Sequence, residues 1–131
     1  MLLWQSGLSY AARRMPKVIG PNTHAVLDCA VAGTFLFMAA RFWRRNRRAA
    51  VGSLLCGGAA LASNLLTDYP GGALRVVNYS THGTIDAGLA TLTAATPRLM
   101  GFSDEPEAGF FGAQALVETA ITSLTNFDHY E

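Results

Sequence analysis

The stretch THAVLD at residues 23–28 returns as THGTID at residues 81–86, a shift of 58 positions along the chain. The same shift places LTDY, residues 66–69, on LTNF, residues 124–127, without a gap. Identity between the halves is low elsewhere, so the matches concentrate at the two ends of one unit. This pattern indicates a duplicated structural unit rather than chance similarity.

Each copy of the unit contains two largely apolar stretches, which predicts a helical hairpin. We predict a first hairpin repeat at residues 21–72 and a second at residues 73–131, forming one domain together. Residues 1–20 form an N-terminal extension whose apolar residues suit a membrane surface. Met15 is an alternative start to Met1.

The four stretches approach the length of about 20 apolar residues that a helix needs to cross a bilayer. They are residues 24–43, 49–66, 76–97 and 108–127. Two spans per repeat give both repeats the same orientation, with an axis along the membrane normal. The predicted fold is therefore an all-α bundle of four transmembrane helices, built from two parallel hairpin repeats. A soluble four-helix bundle is the rival fold, because the mean hydropathy is only +0.23.

Charge gives the predicted orientation of these spans. The basic turn at residues 41–48 belongs in the cytoplasm by the positive-inside rule, which puts both chain ends on the other side. Only 15% of the residues are charged and the net charge is +1, which argues against nucleic acid as a partner. Cys29 and Cys56 lie in apolar stretches without metal-site spacing, so we predict two buried thiols.

The repeated motif places a histidine and an aspartate four residues apart, on one helix face. These pairs are His24 with Asp28 and His82 with Asp86. Ionisable groups inside a span normally face the bundle interior and are candidates for function. We expect both histidines at one membrane face and both aspartates about 6 Å deeper. Four further polar residues are expected to support this constellation: Asp68, Glu118, Asn126 and Asp128.

Three functional hypotheses follow, and the first is structural: each His bonds an Asp and so holds the bundle or a partner together. The second is a redox component with a divalent metal on His24, Asp28, His82 and Asp86, or a haem on the two histidines. The third is a proton or ion path through the aspartates and Glu118. No nucleophile elbow, phosphate loop or zinc-protease motif is present, which argues against an enzyme. The expected partners are the lipid bilayer and either a second copy or another membrane protein.

The stretch GLATLTAATPRLMGF, residues 88–102, resembles SPW-repeat proteins, small bacterial membrane proteins in which a span reaches a small-Pro pair and then Gly-Phe. The resemblance covers one span and departs at Arg98, where that family has Trp. The first half reads FMAARFWRR at residues 37–45 instead. More broadly, the repeated motifs are similar to uncharacterised small bacterial four-span proteins. The resemblance implies the inner membrane of a bacterium and no particular activity.

Overall fold

The computed structural model describes residues 16–128, and this part of the chain is all-helical. Its helices are α1 (Pro21–Phe42), α2 (Arg47–Leu66), α3 (Tyr79–Leu99) and α4 (Ala108–Leu124). The predicted all-α, four-helix architecture is confirmed. The expectations for the N-terminal extension and for the start at Met1 or Met15 fall on residues 1–15, outside the described part.

Local sequence signals set the ends of these helices. Pro21 begins α1, where a missing backbone N–H costs nothing. The side chains of Asn46 and Asn78 accept hydrogen bonds from the backbone N–H groups three residues later, capping α2 and α3. Gly101 (φ +76°) follows α3, and Phe102 N donates to Pro97 O, which closes the helix in a Schellman motif.

Two predicted spans extend beyond the helices that form. Residues 76–78 and 125–127 are not helical. They lie in short non-helical segments, here called links, in which the backbone of one repeat pairs with that of the other. Ile19 pairs with Thr125, and Val77 pairs with Thr67. Ile19 N donates to Leu124 O at 3.0 Å, and Val77 N donates to Leu66 O at 2.8 Å. Under the 58-residue shift, Ile19 corresponds to Val77 and Thr67 to Thr125, so the two backbone pairings are equivalent. The start of each repeat therefore pairs with the end of the other repeat.

The helices pack as two hairpins, α1 with α2 and α3 with α4, and the hairpins meet mainly through α2 and α3. A phenylalanine core fills the end near the two hairpin turns and contains Phe35, Phe42, Phe102 and Phe111. The other half of the interior is polar, and its buried side chains include both motif histidines. The bundle thus has one apolar end and one polar end.

Large apolar side chains lie on the outside of the same helices. Examples are Val26, Phe37 and Leu55, each more than 60% exposed, and Leu116 at 74%. These exposed apolar side chains surround an interior that contains buried His, Asp and Glu residues. Cys56 is buried as predicted, whereas the prediction for Cys29 is wrong, because its thiol lies on this exposed face of α1.

Two of the described helices, α1 and α2, are long and apolar enough to cross a membrane, each with a mean hydropathy of 1.6 in its most apolar window. Helix α3 has 21 residues but is rich in threonine, and α4 has 17 residues. By length and composition the structure therefore has two candidate spans.

Neighbouring glycines in α2 provide a test of the α1–α2 contact. A Cβ on Gly57 would lie 2.7 Å from Phe35 Cβ, whereas a Cβ on Gly58 would meet nothing within 4 Å. We expect Gly57→Ala to lower the free energy of unfolding by about 1–3 kcal/mol through overpacking. Gly58→Ala should leave it unchanged or raise it by up to about 1 kcal/mol. Denaturant unfolding in mild detergent measures both, and equal effects would contradict the predicted contact.

Candidate functional site

The two repeated motifs meet in the polar half of the bundle and form one cluster, the quartet, of His24, Asp28, His82 and Asp86. Nε2 of His24 lies 3.0 Å from Oδ2 of Asp86 and 3.2 Å from Oδ2 of Asp28. Nε2 of His82 lies 3.0 Å from Oδ2 of Asp28 and 3.2 Å from Oδ2 of Asp86. Each histidine therefore makes its shorter contact with the aspartate of the other repeat. Both imidazoles are completely buried.

A threonine at the end of the other repeat contacts the second ring nitrogen of each histidine. Nδ1 of His24 lies 2.7 Å from Oγ1 of Thr125, and Nδ1 of His82 lies 2.7 Å from Oγ1 of Thr67. Each threonine hydroxyl already donates its proton to a helix carbonyl, Ile121 O or Ser63 O. The hydroxyl must therefore accept from the ring, which fixes a proton on Nδ1 and turns Nε2 towards the aspartates.

These bonds fix the charge of the quartet. With Nδ1 protonated in both rings, each short Nε2–Oδ2 contact needs one further proton to be a hydrogen bond. Whether that proton sits on nitrogen or on oxygen, the pair carries no net charge. The quartet is therefore neutral as a whole, which reduces the large cost of burying four ionisable groups.

Aromatic rings cover the histidines. Tyr79 and Phe127 meet the His24 ring edge-on, with centroids 5.8 Å and 5.2 Å away. Tyr69 lies 4.9 Å from the His82 ring, and its hydroxyl donates to Oδ2 of Asp28 at 2.7 Å. Burial and the neighbouring Asp28 raise the pKa of Tyr69 far above its usual value, so the phenol keeps its proton and remains a donor. The cover thus limits access of water to the imidazoles.

The structure brings together the four predicted ligands but places three predicted supporting residues elsewhere. Asp68 is half-exposed and pairs with Arg75 at 3.4 Å. Asn126 accepts from the backbone N–H of Asp128, an exposed residue. Thr67 and Thr125, one residue before Asp68 and Asn126, make the supporting contacts instead. The repeat pairs these two threonines in the sequence, and that pairing was the available signal for them.

The fourth predicted supporting residue, Glu118, is buried beside the quartet. It lines a cavity of about 20 Å³, the chamber, together with Asp28, Asp86 and Asn64. Thr93 donates to Oε2 of Glu118 at 3.4 Å. Among the described residues, no protein group hydrogen-bonds Oε1 of Glu118 or Nδ2 of Asn64. Glu118 is therefore a neighbour of the quartet rather than a member of it.

The quartet has the donor set of a metal site. The four Nε2 and Oδ2 atoms all lie within 4.8 Å of one another, and four of their separations are 3.0–3.2 Å. A point equally distant from such atoms lies roughly 2 Å from each, which is the length of zinc–nitrogen and zinc–oxygen bonds. Haem does not fit, because the ring centroids are 5.4 Å apart and both Nε2 atoms face the carboxylates, which fill the space that a porphyrin needs.

No protein-family model, curated protein or solved structure matches this chain. The resemblance of residues 88–102 to SPW-repeat proteins stays a prediction. Function is therefore inferred from the geometry of the quartet and its surroundings.

The threonine contacts give a test of the quartet's assembly. In Thr125→Val the buried ring N–H of His24 loses its acceptor, which should cost about 1–3 kcal/mol of unfolding free energy. Thr67→Val should cost less, because Ser63 Oγ also lies 3.1 Å from Nδ1 of His82 and remains as an acceptor. Thr91→Val is the matched control, because Thr91 is exposed and donates only to Ala87 O of its own helix. Unfolding in detergent should show the largest loss for Thr125→Val, a smaller loss for Thr67→Val and little change for Thr91→Val. A control as destabilised as the others would contradict this assignment.

Proposed function

We propose that this chain is a four-span integral membrane protein that binds one divalent first-row metal ion, with Zn²⁺ the best match, at the quartet. The observation that carries the proposal is the clustering of two imidazole Nε2 atoms and two carboxylate Oδ2 atoms, with one ligand atom from each residue within 4.8 Å of the others. A ring of alternating nitrogen and oxygen donors at 3.0–3.2 Å suits a four-coordinate ion.

The surroundings of the four donors support metal binding. Metal-ligating histidines usually donate their other ring N–H to a fixed acceptor, which sets the tautomer and the ring orientation. Thr125 and Thr67 do this for His24 and His82. Tyr69 gives Asp28 a similar support by donating to its carboxylate. The donors are thus already oriented by neighbours that need not move when an ion arrives.

Charge balance also favours a divalent ion. The metal-free quartet holds two protons among its four Nε2 and Oδ2 atoms and is neutral. One divalent cation in their place, with two neutral imidazoles and two carboxylates, leaves the quartet neutral again. A buried site that keeps its net charge avoids the cost of placing an unpaired charge in a medium of low dielectric constant.

The membrane part of the proposal rests on the distribution of polar groups in all four helices. Helices α3 and α4 carry exposed apolar side chains, among them Leu92, Leu99 and Leu116, and they bury the polar residues Thr93 and Glu118. This arrangement favours a lipid environment for the second hairpin as well as for the first. The basic turn between α1 and α2 then lies in the cytoplasm, and the quartet end faces the other side of a bacterial inner membrane.

Metal titration tests the site. We expect the wild type in mild detergent to bind one equivalent of Zn²⁺ or Co²⁺, with the d–d absorption of Co²⁺ indicating tetrahedral geometry. His24→Ala, His82→Ala and Asp28→Asn each remove a ligand atom and should weaken binding by more than about 100-fold. Binding should also weaken as pH falls, because protons compete for the same nitrogen and oxygen atoms.

Asp68→Asn is the control for this titration, because its carboxylate lies at the same end of the bundle but outside the quartet. It should bind metal as the wild type does. A folded wild type that takes up no metal, together with ligand variants that unfold, would overturn the metal proposal. That result would favour the structural hypothesis, in which the quartet holds the two repeats together.

The four-span topology is testable with single cysteines in a Cys29→Ala, Cys56→Ala background. Ser103→Cys lies in the turn between α3 and α4, and Leu74→Cys lies between the two hairpins. If all four helices cross, a membrane-impermeant maleimide should label residue 103 from the cytoplasmic side and residue 74 from the opposite side. Labelling of both from one side would mean that only the first hairpin crosses.

A further inference from the structure

A pocket of about 490 Å³, here called the turn pocket, lies between the two hairpin turns at the end of the bundle opposite the quartet. Its charged lining comes from both repeats, with Arg45, Arg47 and Arg48 from the first turn and Glu105 and Glu107 from the second. Its volume falls in the range of about 300–1,000 Å³ that is typical of small-ligand sites. The turn pocket therefore offers both signs of charge to one ligand.

The two turns are equivalent in the duplicated chain but carry opposite charge. The 58-residue shift places residues 44–48, RRNRR, on residues 102–106, FSDEP, so that Arg47 corresponds to Glu105. Duplication alone would give both turns the same charge. The difference between the repeats gives the turn pocket one basic wall and one acidic wall.

The opposite charges of the turn pocket do not neutralise each other by direct pairing. Over residues 16–128, no ion pair joins any of its arginines to either glutamate. Instead, the Asn46 side chain donates to Oε2 of Glu105, and Nη1 of Arg48 donates to Gly101 O at 3.2 Å. These two bonds join the turns to each other. They leave further guanidinium N–H groups and the second carboxylate oxygen of Glu105 for a ligand.

Neighbouring side chains support a position of the turn pocket at a membrane surface. The guanidinium carbon of Arg47 lies 3.8 Å from the centre of the Trp43 ring, and this ring is 42% exposed. Leu99, at the end of α3, is 71% exposed. Tryptophan and basic residues are typical of the interface between lipid tails and water. The inference below rests on the proposed four-span topology, which puts both turns at one bilayer face, but not on the metal site.

We propose that the turn pocket binds a phosphoethanolamine group, with its phosphate on the arginines and its ammonium on the glutamates. Phosphatidylethanolamine in the membrane and the soluble headgroup both carry this group. Arginine forms paired hydrogen bonds to phosphate oxygens, and a primary ammonium donates three hydrogen bonds that carboxylates accept.

The lining also predicts which headgroups the turn pocket disfavours. Choline has no N–H groups and is bound instead by aromatic faces, but the ring of Trp43 already carries Arg47. A headgroup with a phosphate and no cationic group, such as phosphatidylglycerol, would leave Glu105 and Glu107 unpaired beside an anion. We therefore expect selectivity for the ethanolamine headgroup over both others.

Competition between lipids tests the turn pocket. The full-length protein in detergent is mixed with equal amounts of phosphatidylethanolamine, phosphatidylcholine and phosphatidylglycerol of identical acyl chains, and native mass spectrometry counts the bound lipids. We expect the wild type to retain phosphatidylethanolamine roughly 5-fold or more over either competitor. Equal retention of the three lipids would overturn the inference. The maleimide labelling of residues 74 and 103 decides the topology separately.

Two variants separate the phosphate contact from the ammonium contact. Arg45→Gln should weaken the binding of all three lipids, because all three carry the phosphate. Glu105→Gln should weaken the binding of phosphatidylethanolamine alone, since its amide oxygen can still accept from Asn46 and only the charge is lost. If Glu105→Gln lowers the retention of the three lipids equally, the ammonium contact is wrong.

Arg44→Gln and Asp104→Asn are the matched controls. Both residues are exposed and lie in the same two turns, but neither lines the turn pocket. Each control should retain lipids as the wild type does. Losses as large as those of Arg45→Gln and Glu105→Gln would mean that the overall charge of the turns attracts lipid, which would overturn the assignment to the pocket.

Soluble glycerophosphoethanolamine distinguishes the two sources of the group. Calorimetric titration that detects its binding to the wild type but not to Arg45→Gln would support a site for the headgroup itself. Selective retention of phosphatidylethanolamine without binding of the soluble compound would support the membrane lipid as the ligand. Binding of the soluble compound that is equal in the wild type, Arg45→Gln and Glu105→Gln would contradict the pocket as its site.

Discussion

The crossed contacts of the quartet, in which each histidine makes its shorter bond to the aspartate of the other repeat, are the constraint on which the rest of the bundle depends. Neither repeat contains a complete site, because His24 needs Asp86 and Thr125, and His82 needs Asp28. The backbone pairings also join the start of one repeat to the end of the other, with Ile19 paired to Thr125 and Val77 paired to Thr67. Side chains and backbone thus fix the same relative position of the two hairpins.

Neutrality explains how such a cluster is tolerated in the interior. An isolated buried carboxylate or imidazolium costs several kcal/mol even after the protein relaxes, and this cost grows in a lipid environment. Two shared protons remove the net charge of the quartet. The threonine hydroxyls donate hydrogen bonds to helix carbonyls and accept hydrogen bonds from the Nδ1 atoms of the histidines. The polar half of the bundle is therefore internally satisfied around the quartet, and the phenylalanine half supplies ordinary apolar packing. Asn64 and Glu118, which line the chamber, each keep one polar atom without a hydrogen-bond partner among the described residues.

The four ligand candidates could be predicted from the sequence because duplication and four-residue spacing are both visible in it. His24 and Asp28 share one helix face in the first repeat, and His82 and Asp86 share the equivalent face in the second. Because the repeats are related by the 58-residue shift, the two faces are expected to lie at the same end of the bundle. The repeat marks Thr67 and Thr125 as a pair, but neither their contacts with the histidines nor the contact of Tyr69 with Asp28 follows from it. These residues lie after helix ends, in extended links whose direction depends on pairing with the other repeat. Asp68, one residue beyond Thr67, consequently points outward to Arg75, although its charge made it the more obvious candidate.

Two departures from symmetry lie near the aspartates and the chamber. Tyr69 donates to Asp28, whereas its counterpart Phe127 has no hydroxyl to offer Asp86. Glu118 corresponds to Ala60 and both residues line the chamber, so only the second repeat supplies an acid at this position. A symmetric cluster is enough to join two copies of a hairpin. The loss of symmetry on the chamber side means that the two aspartates are no longer equivalent, with Asp28 held by a fixed donor and Asp86 without this bond. A site that distinguishes its two carboxylates and places a third acid beside them is better suited to exchanging protons or an ion than to structural support alone.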